Sequence, residues 1–397
     1  MSIDESTICP AVWDHLCVNT RGNNRLCCNA TTQQFDTFLG NYDNHWNELR
    51  DGVKKEMLQG KKPEICKVCW DREDSGISSL RQSFVSRYKN TERWNKFVET
   101  IDTTRPSPVE LDLKLGNYCN LSCRMCNSFS SSMYATELHK IHKETGINLS
   151  KNEQELIYKQ TKWFTDPIFI ERIKQYIDDG LLEIKFTGGE PLMVPGVKEI
   201  IEHCITTGAA KNIQIQLITN ITLLTEEWLE KLSYFELVVL TCSIDGTGDT
   251  YEYIRHPTNW RDVYSKLKQS KKYTNSNFIL ELTFTLQTYN MLEIKHMIDL
   301  RRELECRIGC ITLYEPDYLD VRNATQQLKD DALLAINNIK SVTKHERIFL
   351  NNTINKINQE PNADLIAMKY KLKMISETKD PFRNQDFSKQ RIYKYYE

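Results

Sequence analysis

Three cysteines, Cys119, Cys123 and Cys126, stand in a C-x3-C-x2-C spacing. Thiolates so close in sequence can converge on one inorganic centre. Three of them match three corners of an iron-sulfur cubane, whose usual protein-held form takes four cysteines, so that one iron is left open to an external ligand. Structural zinc is the alternative. It wants a closed set of four ligands, and the nearest further candidate is His139. Farther along, Phe186-Thr187-Gly188-Gly189-Glu190-Pro191 sets two residues without a Cβ before a carboxylate. Backbone can approach a ligand closely there, and Glu190 can accept from an ammonium group; the same turn would also serve to start a helix. Thr219, Asn220, Ser243 and Asp245 close two later β-rich runs with polar groups that suit either a ligand or a helix cap. Arg255 can grip a carboxylate with two nitrogens in a way lysine cannot, or lie in a surface loop.

A second set of cysteines precedes the loop. Cys9-x12-Gly22-x4-Cys27 is followed by Cys66-x2-Cys69, and four thiolates fit a fully ligated cluster or a tetrahedral zinc equally well. Cys28 is adjacent to Cys27 and could replace it. Cys17, Cys204, Cys242, Cys306 and Cys310 read as small buried residues, since free cysteine packs as a hydrophobe.

The elements that must position these groups follow from periodicity. Short β-rich runs at Glu110–Leu115, Glu183–Thr187, Ile213–Thr219, Glu236–Ile244, Phe278–Leu286 and Ile308–Tyr314 alternate with helical patterns, including Val197–Thr206, Glu226–Leu232, Arg261–Lys272 and Leu292–Leu304. Such alternation makes βαβ units and a parallel sheet. Six units are too few for the usual eight-fold barrel, so an open or partial barrel is expected, with a helical insertion over 131–179. The cysteine loop and the Gly-Gly-Glu turn both follow strands, at the end of a parallel β/α array where reactive groups collect. Prolines at Pro106 and Pro108 break any helix. They separate a cysteine-rich zone, 1–107, from the barrel, 108–315, and a helical carboxy-terminal extension, 316–397, follows.

The 397 residues exceed what one core ordinarily serves, and 13 cysteines without a secretory signal at Met1–Pro10 point to a reducing, cytoplasmic setting and to metal or catalytic use of some thiols. No run reaches the roughly 18 apolar residues of a membrane span. A formal charge of -2 argues against nucleic acid as a partner.

Taken in order, Cys119-x3-Cys123-x2-Cys126 and Thr187-Gly188-Gly189-Glu190 on consecutive strands resemble the cluster motif and the methionine-binding motif of the radical S-adenosylmethionine (SAM) superfamily. The resemblance implies an α/β fold, a partial (β/α)6 TIM-like barrel, in which the amino and carboxylate groups of SAM chelate the open iron of a [4Fe-4S] cluster. Ser243 resembles the family's ribose-contacting position. Thr187, Gly188, Gly189, Glu190, Thr219, Asn220, Ser243, Asp245 and Arg255 become the expected cofactor-binding set. Met125 departs from the aromatic residue common before the last cysteine, and is large and polarizable enough to pack there. The chemistry implied is reductive cleavage of SAM to a 5′-deoxyadenosyl radical that abstracts a substrate hydrogen. It needs an external one-electron donor such as a flavodoxin or ferredoxin and no acid-base triad. Cys9, Cys27, Cys66 and Cys69 resemble the twitch or SPASM auxiliary-cluster domains of that superfamily, here placed before the barrel. A second [4Fe-4S] cluster implies oxidation or cross-linking of a peptide or protein residue. Oxidation of a small molecule, sugar or nucleotide is the second reading, and a non-catalytic metal-binding interaction module the third.

Overall fold

Among the described residues ten strands form, in chain order β1 (His15–Val18), β2 (Asn24–Arg25), β3 (Glu110–Lys114), β4 (Ser122–Cys123), β5 (Glu183–Thr187), β6 (Gln214–Thr219), β7 (Leu237–Ser243), β8 (Arg255–His256), β9 (Phe278–Leu286) and β10 (Arg307–Thr312). The computed structural model describes residues 5–30, 42–76, 78–89, 91–101, 107–146 and 163–397. The proline-containing boundary at 102–106 and the middle of the expected insertion, 147–162, lie outside them. All six expected strands are present, each within two residues of its expected bounds. Two compact units divide the chain, one from the described parts of Met1–Gly116, Thr161–Gln216 and Tyr234–Glu236, the other from those of Asn117–Gln160, Leu217–Ser233 and Leu237–Glu397.

In the first unit β1 runs parallel to β3 and β3 parallel to β5, while β2 returns antiparallel on β1. Register sorts the side chains by face, because successive residues of a strand point to opposite sides. Leu16, Leu111 and Ile184 form one lateral row, and Leu113 stands beside Val18 and Phe186 in the next. All six are buried. The opposite face carries His15, Glu110 and Glu183 in one row and Cys17, Asp112 and Lys185 in the next. Pairing of β1 with β3 brings a strand of the cysteine-rich zone into the same sheet as the first barrel strand. A separate core closes that zone, with Trp13, Trp70, Phe84, Tyr88 and Phe97 packed together. Trp13 donates to the Ile101 carbonyl at 2.8 Å, and the buried Arg50 donates to the Val12 and His15 carbonyls at 2.8 and 2.6 Å.

In the second unit β7, β9 and β10 are parallel, and β4 pairs antiparallel with β8. Thr225, Asn259 and Asp364 cap the helices Glu226–Leu232, Trp260–Lys271 and Leu365–Arg383, each accepting a hydrogen bond from a backbone N–H of the first turn. The carboxy-terminal zone holds three helices, Gln326–Asn337, Lys344–Ile357 and Leu365–Arg383, where periodicity marks helical patterns only around 324–343 and 363–376. The first pattern stops because Thr343 and Glu346 form a capping box that restarts the chain as a new helix.

Glu346 is fully buried, within 3.1 Å of Arg301 and 2.9 Å of Arg302. Its hydrogen bond with Arg302 is the main cause that holds its carboxyl down at about 2. A carboxyl lowered on folding stabilises above its unfolded value and loses that contribution as pH falls toward its folded value. Glu346→Gln is therefore expected to lower unfolding free energy by about 1–3 kcal/mol at pH 7. The gap to wild type should close progressively below about pH 4.5 in urea titrations; a pH-independent gap would show that the ion pairs contribute nothing.

Candidate active site

The cysteine loop is held by short polar contacts on both sides. Asn117 donates to the Ser128 carbonyl at 2.9 Å, and the Ser132 amide donates back to the Asn117 carbonyl at 2.7 Å. Ser131 caps the helix Ser132–Thr145 and donates its hydroxyl proton to the Leu121 carbonyl at 2.5 Å. Cys123 lies in β4 directly opposite Arg255 of β8, and the Arg124 amide donates to the Ile254 carbonyl at 2.8 Å. Arg255 therefore does not lie in a surface loop. It is buried, with Nε 2.7 Å from Asp245 and Nη1 3.9 Å from the Cys123 sulfur. Asp245 is spent on this pair and on the Thr285 amide, 2.7 Å from its other oxygen. Burial pushes the Asp245 carboxyl up while Arg255 pulls it back.

Asn220 places its amide nitrogen 2.9 Å from the Asn120 side-chain oxygen and 3.9 Å from the Cys119 sulfur. Thr219 turns inward, its hydroxyl accepting from the Ile221 amide at 2.9 Å, and Ser243 ends β7 half-buried. Ile221 has φ of +64°, a left-handed conformation that a β-branched residue rarely adopts. The strain accompanies the turn that brings Asn220 to the loop.

Sequence reasoning missed the residues that hold Arg124, the one charged residue between the second and third cysteines. Arg124 is buried, its guanidinium 3.6 Å from the centre of the Tyr253 ring, and it pairs with Asp380 and donates to Gln385 at 2.9 Å. One turn on, Arg383 reaches the Ser122 carbonyl at 2.6 Å and Glu137 at 2.5 Å. Lys379 donates to the Tyr134 hydroxyl at 3.0 Å, and burial pushes its ammonium down to about 7. The last turns of Leu365–Arg383 thus grip the residues on either side of Cys123. The only sequence signal was a run of charges, Lys379, Asp380 and Arg383, late in an amphipathic helix.

In the first unit the Gly-Gly-Glu turn packs against the end of β3. Gly188 has φ of +127°, and a Cβ there would stand 3.0 Å from both the Gly116 oxygen and the Leu115 nitrogen. Gly189 donates to the Gly116 carbonyl at 3.2 Å. Glu190 is buried and caps the following turn, accepting from the Leu192 amide at 3.1 Å, so the turn does start a helical segment. Thr187 ends β5 beside Lys114.

Cys9, Cys27, Cys66 and Cys69 line one small cavity, with Phe84, Leu26 and Arg81 in its walls. Burial, reinforced by the neighbouring cysteines, pushes the Cys27 thiol up to about 11 and the Cys66 thiol to about 12, and raises Cys9 well above its ordinary value. Thiols so placed become ligands only when a cation offsets their negative charge. Cys28 has a different environment, among Asp112, Lys185 and Lys114. Cys17, Cys204, Cys242 and Cys306 are buried as small apolar residues, whereas Cys310 is only half-buried and accepts from Thr353 at 3.8 Å. Among the described residues no group of three His, Cys, Asp or Glu is arranged to hold a single metal ion. A cubane is a larger body than one ion, and the donor chemistry fits one. Three thiols on one loop have an amide N–H and a guanidinium N–H beside their sulfurs, and four more face one cavity.

Residues 113–300, just under half of the chain, match the family model described as Radical SAM superfamily, whose cofactors are a [4Fe-4S] cluster and SAM. Among curated proteins the chain is similar to the sporulation killing factor maturation protein SkfB of Bacillus subtilis, at 23% identity over 192 residues, 48% of this chain and 39% of that one. It is also similar to the AdoMet-dependent heme synthase of Methanosarcina barkeri, at 28% identity over 204 residues, 51% of this chain and 49% of that one. The chain spans less than half the length of either. A crystal structure of Streptococcus suis SuiB bound to precursor peptide SuiA is similar over 77% of this chain and 65% of that one, at 14% identity and a TM-score of 0.38, too distant to add to the family assignment. Among the described residues, no helix is long and apolar enough to cross a membrane.

Removing one partner of a buried ion pair leaves an uncompensated charge and costs about 3–5 kcal/mol. Asp380→Ala should show that loss in urea unfolding, and the double variant Arg124→Met, Asp380→Leu should recover most of it. A double variant as unstable as the single one would mean that the charge of Arg124 is not what Asp380 compensates.

Proposed function

We propose that Cys119, Cys123 and Cys126 hold the SAM-binding [4Fe-4S] cluster, and that Cys9, Cys27, Cys66 and Cys69 hold a second, auxiliary one. The domains would then be an auxiliary-cluster region, 1–107, the barrel, 108–315, and the carboxy-terminal extension, 316–397. The cavity that all four amino-terminal cysteines line is the observation that carries the two-cluster reading. Its environment also favours Cys27 over Cys28 as the ligand.

Bound in the loop and reduced by an external one-electron donor of the flavodoxin or ferredoxin kind, the cluster and SAM together supply a 5′-deoxyadenosyl radical for hydrogen abstraction. The chain's own residues orient and shield. The backbone at Gly188 and Gly189 admits the methionine end closely, and Glu190, released from or shared with its cap, accepts from the ammonium. Thr187, Thr219, Asn220 and Ser243 offer polar groups to the rest of the cofactor. Arg255, held on Asp245, directs a guanidinium N–H at Cys123 and favours its thiolate form. Asn220 does the same more weakly for Cys119.

The product of this chemistry is an oxidised or cross-linked peptide or protein residue, an oxidoreductase outcome for which a cluster held by Cys9, Cys27, Cys66 and Cys69 would supply the electron acceptor. Similarity to a maturation protein supports a peptide as substrate. Similarity to a heme synthase supports the second reading, oxidation of a small molecule.

Anaerobically reconstituted protein should hold about eight irons per chain, falling to about four in Cys66→Ala/Cys69→Ala, since each cubane has four. Reduced with SAM present, it should form 5′-deoxyadenosine, and Cys123→Ala should not. Stoichiometric zinc with only four irons would remove the auxiliary cluster; no 5′-deoxyadenosine from an intact reduced cluster would remove the radical chemistry.

A further inference from the structure

The polar face of the first unit's sheet carries charges that neither set of cysteines uses. Its lowest row is closed on itself: His15 and Arg87 flank Glu110 at 3.4 and 3.3 Å, Arg87 also reaches Glu183 at 2.7 Å, and Tyr88 donates to Glu110 at 3.0 Å. One row up the balance is incomplete. Lys185 donates to one oxygen of Asp112 at 3.1 Å, while the other oxygen, Oδ1, is buried with no hydrogen-bond partner. The Asp112 side chain is only 4% exposed, so an idle carboxylate oxygen there is costly and calls for a donor.

Lys114 follows two residues later on the same face of β3, beside Thr187 in register. It is half-buried and, among the described residues, makes no ion pair or hydrogen bond. Gly116, two residues on, is where the Gly188–Gly189 turn packs. Two ammonium groups and one carboxylate leave a surplus of one positive charge and one empty acceptor, with Cys28 beside them. A phosphate would bring two negative charges and no donor. An acidic residue brings one carboxylate and matches the single surplus charge.

We propose that Lys114, Lys185 and Asp112 form a subsite for an acidic residue of the substrate, with Lys114 taking its carboxylate and Lys185 held in place by Asp112. This rests on the peptide reading above. The carboxylate has two possible sources, an Asp or Glu side chain or the end of a peptide, and both present the same chemistry to Lys114.

The test uses the full-length protein, reconstituted anaerobically, and reads the acetylation rate of Lys114 by peptide mass spectrometry under limiting amine reagent. Three probes are compared at millimolar concentration: N-acetyl-Gly-Glu-Gly-amide, N-acetyl-Gly-Gly-Gly with a free carboxyl end, and N-acetyl-Gly-Gln-Gly-amide. Labelling should slow about threefold, as 1 + [L]/Kd gives at twice the Kd, with one or both acidic probes and not with the glutamine probe. Protection by the first assigns a side chain, by the second a chain end. Equal labelling with all three overturns the subsite. Because wild-type protein is read without any turnover, failure here leaves 5′-deoxyadenosine formation standing, and failure of SAM cleavage leaves this measurement intact.

Discussion

A full positive charge buried inside the cysteine loop is the constraint around which the second unit is arranged. Arg124 cannot be moved to water without moving Cys123, its neighbour, and Cys126, two residues on. Its surroundings therefore supply what water would: an ion pair with Asp380, an aromatic face from Tyr253 and an amide oxygen from Gln385. Tyr253 comes from the helix Gly248–Ile254, and Asp380 and Gln385 come from the end of the helix Leu365–Arg383 and just beyond it. Once they are in place, Arg383 and Glu137 close over Ser122 as well. The loop is held by its charges, and its thiols take their direction from that.

A second charge pair does comparable work from the other side. Arg255 sits opposite Cys123 because β4 and β8 pair, and it points at the sulfur because Asp245 holds its other edge. At the Gly188 turn of the first unit the constraint is steric: Gly188 and Gly116 touch through backbone, and any Cβ at Gly188 would press on that contact. Charge orients the cysteine loop, and close packing shapes the Gly188 turn.

Much of this was legible in the residues. The six main strands alternate apolar and polar side chains clearly enough to be placed within two residues, and cysteine spacing alone set apart the four cysteines that line one cavity from Cys17, Cys204, Cys242 and Cys306, which are buried. What escaped has physical reasons. β1 is four residues long and follows directly on the buried helix Ala11–Asp14, so the two read as one apolar run. Choosing between Cys27 and Cys28 depends on which way a half-buried turn faces, and spacing is blind to that. Glu190 and Asp245 each read as either a ligand group or a cap; Glu190 does cap a turn, whereas Asp245 is engaged with Arg255 and a backbone amide, a pairing that spacing does not show. The grip on Arg124 could not be seen because its partner lies 256 positions away.

That separation has a consequence in time. Asp380 and Arg383 follow Arg124 and Ser122 by 256 and 261 residues, so a growing chain carries its three cysteines long before it carries their brace. At about 5–20 residues per second of synthesis, the interval is tens of seconds. During it Arg124 lacks the carboxylate that offsets its charge, and a chain cut short before the helix that ends at Arg383 would leave that charge uncompensated.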